Sequence, residues 1–299
     1  MLNPQTDTIK ANSLKNNRLG DPIDREIVTI DVNSNDKTPV LIGLAGFFGS
    51  NRSFLNRNYA SADFQSILKQ IAERNDGTGF TVVLPDTMTA IYGNQYLNSV
   101  AVGNYEDFIT KDVLNYIHEK FGNRSIGIFG RSSGGFGAYT LATRHPDLFG
   151  GFIDVSGDSA FEYSYIKDFP ESFREIRKYG GLQEWYVSMR AKKNHKSSEI
   201  SAINTVAMSA FYSPDTKSDM NIALPFDLKN GEFNGKVWKR WLSLDPAKNI
   251  SDRLDVLKEM AVFLQVGSHD EFNLDIGIRI MHEKLERENI VHFFEEYDE

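Results

Sequence analysis

Short apolar runs that recur along the chain constrain its fold more than any other feature. Each is bounded by Gly, Pro, Asp or Ser, and they lie at residues 40–45, 80–84, 125–129, 151–155 and 260–266. Continuous apolar runs of this length are typical of strands that are buried on both faces. Segments of helical length and spacing separate most of them, at 62–74, 105–121 and 133–144. This alternation predicts an α/β protein with a mostly parallel central sheet and helices on both faces.

The remaining segments predict how this core is extended. Residues 25–32 alternate between apolar and polar, as in an antiparallel edge strand, and 33–37 follow as a turn. Near the end, 275–287 is typical of a helix and 290–297 of the final strand. Residues 158–259 contain no clear buried strand but hold all three tryptophans. We therefore expect an inserted, mainly helical lid at 158–259 on a core formed by 1–157 and 260–299.

Composition excludes several classes of function. The 33 Lys+Arg and 41 Asp+Glu residues give a formal charge of −8, which disfavours a nucleic-acid surface. Without cysteine there are no disulfides, thiolate metal sites or Cys nucleophiles. No phosphate loop or metal-ligand motif is evident, so neither a cofactor nor a metal is predicted. The polar N-terminus and the lack of a long apolar segment predict a cytoplasmic protein with no membrane partner. The oligomeric state stays open, a homo-oligomer included.

One motif carries chemistry. Gly130, Ser132 and Gly134 satisfy G-x-S-x-G between a predicted strand and a predicted helix, which is the context that a nucleophilic serine requires. Ser133 is disfavoured as the nucleophile because Arg131 stands where it would need glycine. An unreactive Gly/Ser-rich connection is the alternative. Ser132 is therefore the predicted nucleophile.

The other parts of a serine-based site follow less directly. The amide of Ser133, with that of Phe47 or Phe48 in the turn at 46–49, is predicted to form an oxyanion hole. Asp270 follows the predicted strand at 260–266 and is the expected acid, with Glu271 as the fallback. His282 and His292 lie after Asp270 but within a predicted helix and strand, whereas the base should follow the last strand.

Residues 130–165, together with 19–22, 84–86, 93–99 and 270–274, resemble an esterase family of α/β-hydrolases. This family includes enterochelin esterase-like proteins, esterase D (S-formylglutathione hydrolase) and, more distantly, mycolyltransferases. The resemblance covers most of the chain and implies an α/β-hydrolase fold with Ser132 as nucleophile and Asp270 as acid. In the family, the histidine follows the last strand in a segment resembling Tyr-Asp-x-x-His, and this sequence departs there by ending at Glu299. We expect a chain ending at Glu299 to fold but to be nearly inactive.

The predicted function is hydrolysis of a small carboxylic ester through an acyl-enzyme on Ser132. Acyl transfer to an alcohol or sugar is the alternative within enzymes, and a hydrolase-like binding protein without catalysis is the alternative outside them. Tyr96 and Asn98 are predicted to bind substrate, and Tyr92 and Phe48 suggest aromatic pocket walls. The aromatic residues of the insertion can equally form the hydrophobic core of the insertion itself rather than line a pocket.

Overall fold

The computed structural model describes residues 2–57, 63–74 and 76–298. The strands are β1 (Gln5–Lys10), β2 (Asp24–Val32), β3 (Val40–Leu44), β4 (Phe80–Pro85), β5 (Asn98–Ser99), β6 (Gly103–Asn104), β7 (Ile126–Arg131), β8 (Gly151–Val155), β9 (Ala261–Gly267) and β10 (Phe293–Tyr297). Eight of them form one sheet in the order β1-β2-β4-β3-β7-β8-β9-β10, and β5 and β6 form a separate small hairpin.

The sheet is mostly parallel. From β4 through β3, β7, β8 and β9 to β10, every neighbouring pair is parallel, while β2 runs antiparallel to both β1 and β4. The five buried apolar runs coincide with β3, β4, β7, β8 and β9 to within two residues. Because the carboxyl ends of parallel strands meet at one edge, the turns after β3, β7, β8 and β9 lie together.

Both ends of the sheet differ from the prediction. β2 is antiparallel, as expected, but it is not the edge strand, because β1 lies outside it with Thr6 opposite Val28. Most β1 side chains are exposed, so its sequence carries little of the apolar signal that marks a buried strand. At the other end, β10 begins at Phe293, later than the predicted start at residue 290.

The helices cover both faces of the sheet. They are α1 (Phe64–Glu73), α2 (Tyr105–Asp107), α3 (Leu114–Phe121), α4 (Ser133–Arg144), α5 (Phe161–Ser164), α6 (Phe169–Arg177), α7 (Leu182–Ala191), α8 (Ser197–Tyr212), α9 (Gly235–Leu242), α10 (Pro246–Asn249), α11 (Leu254–Leu257) and α12 (Leu274–Arg287). On one face, Leu68 of α1 packs with Val82 and Leu84. On the other face, α3, α4 and α12 contribute to a larger apolar cluster.

The predicted helices are present with small differences. The segment at 105–121 is one helical stretch in which the π-helical turn Phe108–Val113 joins α2 to α3. The helix predicted at 62–74 is α1, and residue 62 lies outside the described residues. The predicted helix at 133–144 is α4, and that at 275–287 is α12. None of the described helices is long and apolar enough to cross a membrane.

The segment between β8 and β9 contains α5 to α11. Its tryptophans, Trp185, Trp238 and Trp241, are all buried. The Trp241 ring contacts those of Tyr165 and Phe169, and its indole N–H donates to Ser213 Oγ at 2.9 Å. These aromatic side chains pack together in the interior of this segment. The division of the chain into a core and a lid stays a prediction.

Candidate active site

Ser132 occupies a strained turn between β7 and α4. Its backbone has φ +55° and ψ −126°, a region that residues with a Cβ rarely adopt. The flanking glycines are required by close backbone contacts: a Cβ on Gly130 would lie 2.3 Å from the Gly134 carbonyl carbon, and a Cβ on Gly134 would lie 2.2 Å from the Leu44 oxygen. This geometry is that of a turn that presents a nucleophile at the carboxyl edge of the sheet.

Two backbone amides lie close to Ser132. Ser133 is the first residue of α4, and the first N–H groups of a helix have no acceptor within it. The turn after β3 is adjacent, because a Cβ on Gly46 would lie 3.5 Å from the Ser132 Cβ. Within that turn the Phe48 N–H donates to the Tyr92 oxygen at 3.0 Å. Of the two predicted alternatives, the Phe48 amide is therefore engaged elsewhere, and the Phe47 amide stays the candidate.

Asp270 shares a cavity with Ser132. This cavity of about 540 Å³ lies at the carboxyl edge of the sheet, and Gly46, Phe47 and His269 also line it. Asp270 follows β9, and its Oδ1 accepts the amides of Phe272 at 2.9 Å and Leu274 at 3.2 Å. Two amides thus fix one oxygen of this half-buried carboxylate. Glu271 also lines the cavity, but the residue is exposed.

No histidine in the described ranges is hydrogen-bonded to Ser132 or Asp270. His269 lines their cavity, yet its Nδ1 lies 2.9 Å from Ser268 Oγ. His282 and His292 lie on α12 and just before β10, where their ring nitrogens contact each other at 2.8 Å. The structure therefore brings the expected nucleophile and acid together without joining a base to either.

A buried carboxylate that the sequence analysis did not single out also contacts Ser132. Asp158 Oδ1 accepts from Ser132 Oγ at 3.3 Å. Its Oδ2 accepts from Ser133 Oγ at 3.0 Å and from Tyr165 Oη at 2.9 Å. Gln95 Nε2 donates to the same oxygen at 3.1 Å and to Ser133 Oγ at 2.6 Å. The Ser133 side chain is therefore part of a buried hydrogen-bond network, in addition to the expected role of its backbone amide.

Burial raises the pKa of Asp158, while its hydrogen bonds from Tyr165, Ser133, Gln95 and Ser132 act in the opposite direction. Only 6% of the residue is exposed. A signal was available in the sequence, because Asp158 follows β8, the strand next to β7, and ligand-binding residues gather at the carboxyl ends of parallel strands. G-x-S-x-G specifies no such acid, so the motif alone could not identify it.

A second cavity, of about 230 Å³, is also lined by Ser132, together with residues of the segment that follows β8. Its lining combines aromatic and aliphatic side chains with polar ones: Phe47, Phe48, Phe272, Ile200, Leu274, Tyr165, Lys167, Asp158, Asp168, Asn204, Ser132, Ser133, Ser164 and Ser201. Phe48 is therefore a wall residue. None of the tryptophans in the described segment lines either cavity beside Ser132.

The structure corrects the two predicted substrate-binding residues. Tyr96 is fully buried, and its hydroxyl donates to the Ala45 oxygen at 2.5 Å. It packs beneath α4, where a Cβ on Gly137 would lie 2.3 Å from its ring. The Asn98 side chain bonds Asp107 at the protein surface through both its amide nitrogen and its oxygen. Neither side chain lines a cavity beside Ser132, because both serve local packing and helix capping.

The parallel sheet, the strained serine turn and the acid after β9 together define an α/β-hydrolase. Residues 31–295 match the family model described as "Putative esterase", and the chain belongs to this family. It is therefore an enzyme of the carboxylic-ester hydrolase class. A comparison with curated proteins finds no match.

Solved structures show the same fold. A ferulic acid esterase is similar over 100% of this chain and 90% of its own, with 18% identity and a TM-score of 0.58. An S-formylglutathione hydrolase from Agrobacterium tumefaciens is similar over 99% of this chain and 86% of its own, with 14% identity and a TM-score of 0.56. The fluorophosphonate-binding serine hydrolase F from Staphylococcus aureus is similar over 100% of this chain and 91% of its own, with 14% identity and a TM-score of 0.52.

Proposed function

We propose that the protein hydrolyses carboxylic esters through an acyl-enzyme on Ser132. The hydroxyl oxygen attacks the ester carbonyl, the alcohol leaves with a proton, and water then releases the acid and regenerates the serine. The observation that carries this proposal is the position of Ser132. Its backbone is strained at the carboxyl edge of the sheet, and its side chain borders both the apolar cavity and the cavity that contains Asp270.

The amides of Ser133 and Phe47 form the proposed oxyanion hole. An amide at the first position of α4 also carries the positive end of the helix dipole, which stabilises developing negative charge. Such preorganised donors act on the tetrahedral intermediate more than on the ester itself.

A general base would work in the cavity shared by Ser132 and Asp270. The amides of Phe272 and Leu274 hold the Asp270 carboxylate in place, which suits an acid that orients an imidazole. A histidine in this space would act as that base. His269 is the nearest in sequence, but its bond to Ser268 favours the role of a loop neighbour.

The second cavity supports a small acyl substrate. Its volume of about 230 Å³ is below the range of about 300–1,000 Å³ that is typical of drug-sized ligands. The phenylalanine walls favour an apolar acyl group, while Lys167 and Asp168 offer polar contacts at the rim. Acyl transfer to an alcohol would use the same parts. A cytoplasmic location stays a prediction.

The test is labelling with a fluorophosphonate followed by peptide mapping. We expect one labelled peptide containing residue 132, no labelling of Ser132→Ala, and loss of short-chain ester hydrolysis in that variant. Ser133→Ala is the matched control, and it should still be labelled because the nucleophile is unchanged. A label on residue 133, or on neither serine, would reject the assignment.

Product analysis in water, with and without an added alcohol, separates hydrolysis from transfer. Free acid as the main product in both conditions supports hydrolysis, whereas an ester of the added alcohol as the main product supports transfer. Labelling of Ser132 without turnover of any ester would favour the binding-protein alternative.

A further inference from the structure

Two histidines and a glutamate converge where α12 approaches β10. His282 and Glu286 are four residues apart on α12 and therefore share one face of the helix. His292 lies immediately before β10. One potential ligand atom from each of the three residues lies within 4.8 Å of the other two.

The two imidazoles are arranged as metal ligands commonly are. His292 Nδ1 lies 2.8 Å from the carbonyl oxygen of Ile290, which can only accept, so Nδ1 donates to it and the Nε2 lone pair faces His282. Metal-bound histidines usually donate their second N–H to such an acceptor. His292 Nε2 lies 2.8 Å from His282 Nδ1. The His282 ring is also stacked on Phe294, with centroids 4.0 Å apart and planes at 9°.

We propose that His282 Nδ1, His292 Nε2 and the Glu286 carboxylate bind Zn²⁺, with water completing the coordination. Two imidazoles and a carboxylate form a ligand set that zinc takes with an open position. Nitrogen ligands select zinc and its neighbours in the transition series over Ca²⁺ and Mg²⁺. When zinc takes Nδ1 of His282, the hydrogen that now joins the two ring nitrogens would move to Nε2 of the same ring, so that both imidazoles bind as neutral ligands.

Ligand distances are compatible with this assignment after a small movement. Two nitrogens bound to zinc at 2.0–2.1 Å in tetrahedral geometry are about 3.4 Å apart. The present separation is 2.8 Å. Glu286 is exposed and its side chain is free to turn about its rotamers.

The position of the site points to a structural role. His292 lies at the amino end of β10, whereas Ser132 follows the carboxyl end of β7, and these strands run in the same direction. Zinc would therefore lie at the opposite edge of the sheet from the nucleophile. β10 is the terminal strand of the sheet order and is mostly exposed, so a metal bridge to α12 would hold it in place. The inference does not depend on the proposed function.

The test is calorimetric titration of the tag-free protein with ZnCl₂, accompanied by thermal unfolding. We expect one zinc per chain and a higher Tm with zinc. His282→Gln, His292→Gln and Glu286→Gln should each weaken binding about tenfold or more. His118→Gln is the matched control, because His118 is an exposed histidine on α3. It should bind zinc as the wild type does.

Absence of zinc binding in the wild type would overturn the inference, as would wild-type affinity in any of the three ligand variants. Circular dichroism identifies any histidine variant that fails to fold. In that case the decision rests on Glu286→Gln, which removes only an exposed carboxylate, and on visible absorption after Co²⁺ loading. Intense bands typical of tetrahedral cobalt in the wild type, lost in Glu286→Gln, support the site, while weak octahedral bands reject it.

Discussion

At the scale of single residues, Asp270 and Glu271 are adjacent carboxylates in different surroundings. Asp270 accepts two backbone amides beside the cavity that contains Ser132, whereas Glu271 is exposed and its backbone oxygen accepts a bond from Lys167. Their contributions to catalysis should differ accordingly.

Asp270→Asn should lower kcat about a hundredfold or more, because the carboxylate that orients and stabilises a protonated imidazole is lost. Glu271→Gln is the control and should change kcat little. Steady-state hydrolysis of a short-chain ester measures both. If the Glu271 variant were the inactive one, the acid would have to be reassigned by one residue.

Asp158 should contribute to stability through its buried network. Ser133, Gln95 and Tyr165 donate to Oδ2 and Ser132 donates to Oδ1, whereas an amide has only one accepting oxygen, so Asp158→Asn leaves at least one buried donor unpaired. The expected loss is about 1–3 kcal/mol in the free energy of unfolding. Urea denaturation measures it. Asp168→Asn, in the same cavity but less buried, should cost less, and equal losses would contradict the network.

At the scale of elements, the serine turn depends on close packing of α4 against β3. The first turn of α4 approaches the carbonyl of Leu44 so closely that no Cβ fits at Gly134. The neighbour is backbone of a central strand, which cannot move aside as a flexible side chain can.

Gly134→Ala should therefore destabilise the protein by about 1–3 kcal/mol or more, through overpacking. Gly235→Ala provides a matched comparison, because Gly235 begins α9 and has no atom within 4 Å of its added Cβ. This second change should be neutral or slightly stabilising, since alanine favours helix. Unfolding midpoints in urea distinguish the two. A neutral Gly134→Ala would mean that α4 packs less closely than described.

At the scale of the whole molecule, buried carboxyls make stability depend on pH. Burial raises the pKa of Asp154 to about 7 and that of Asp245 to about 6. A raised folded-state pKa means that the stabilising contribution is fully present below the unfolded value, near 4, and is lost as pH rises through the folded value. Asp154 thus favours the folded state less at pH 8 than at pH 4.

Asp154→Asn should remove this dependence. Relative to the wild type, the variant should gain stability between pH 4 and pH 8, by up to about 4 kcal/mol, because the wild type must ionise a buried carboxyl over that interval. Urea denaturation at pH 4, 6 and 8 gives the difference. The exposed Asp255→Asn serves as the control and should show a constant difference. A constant difference for Asp154→Asn would show that its carboxyl does not titrate over this interval.

The strands and the strained turn at Ser132 were predictable because their signals are local. Buried apolar runs marked β3, β4, β7, β8 and β9, and G-x-S-x-G between a strand and a helix marked Ser132. The exposed strand β1 was missed for the converse reason, since an edge strand with exposed side chains has no apolar pattern. A local hydrophobic pattern therefore predicts buried strands better than exposed ones.

The sequence by itself determined the fold class, the serine turn and the position of Asp270 after β9, because each follows from a contiguous segment with its own physical signature. The tertiary structure alone decided which side chains meet. It placed Asp158 beside Ser132, engaged the Phe48 amide with Tyr92, and turned Tyr96 into the core. These contacts join residues that are distant in the chain. They depend on how strands are ordered in the sheet and how loops close, which no spacing of residue types encodes.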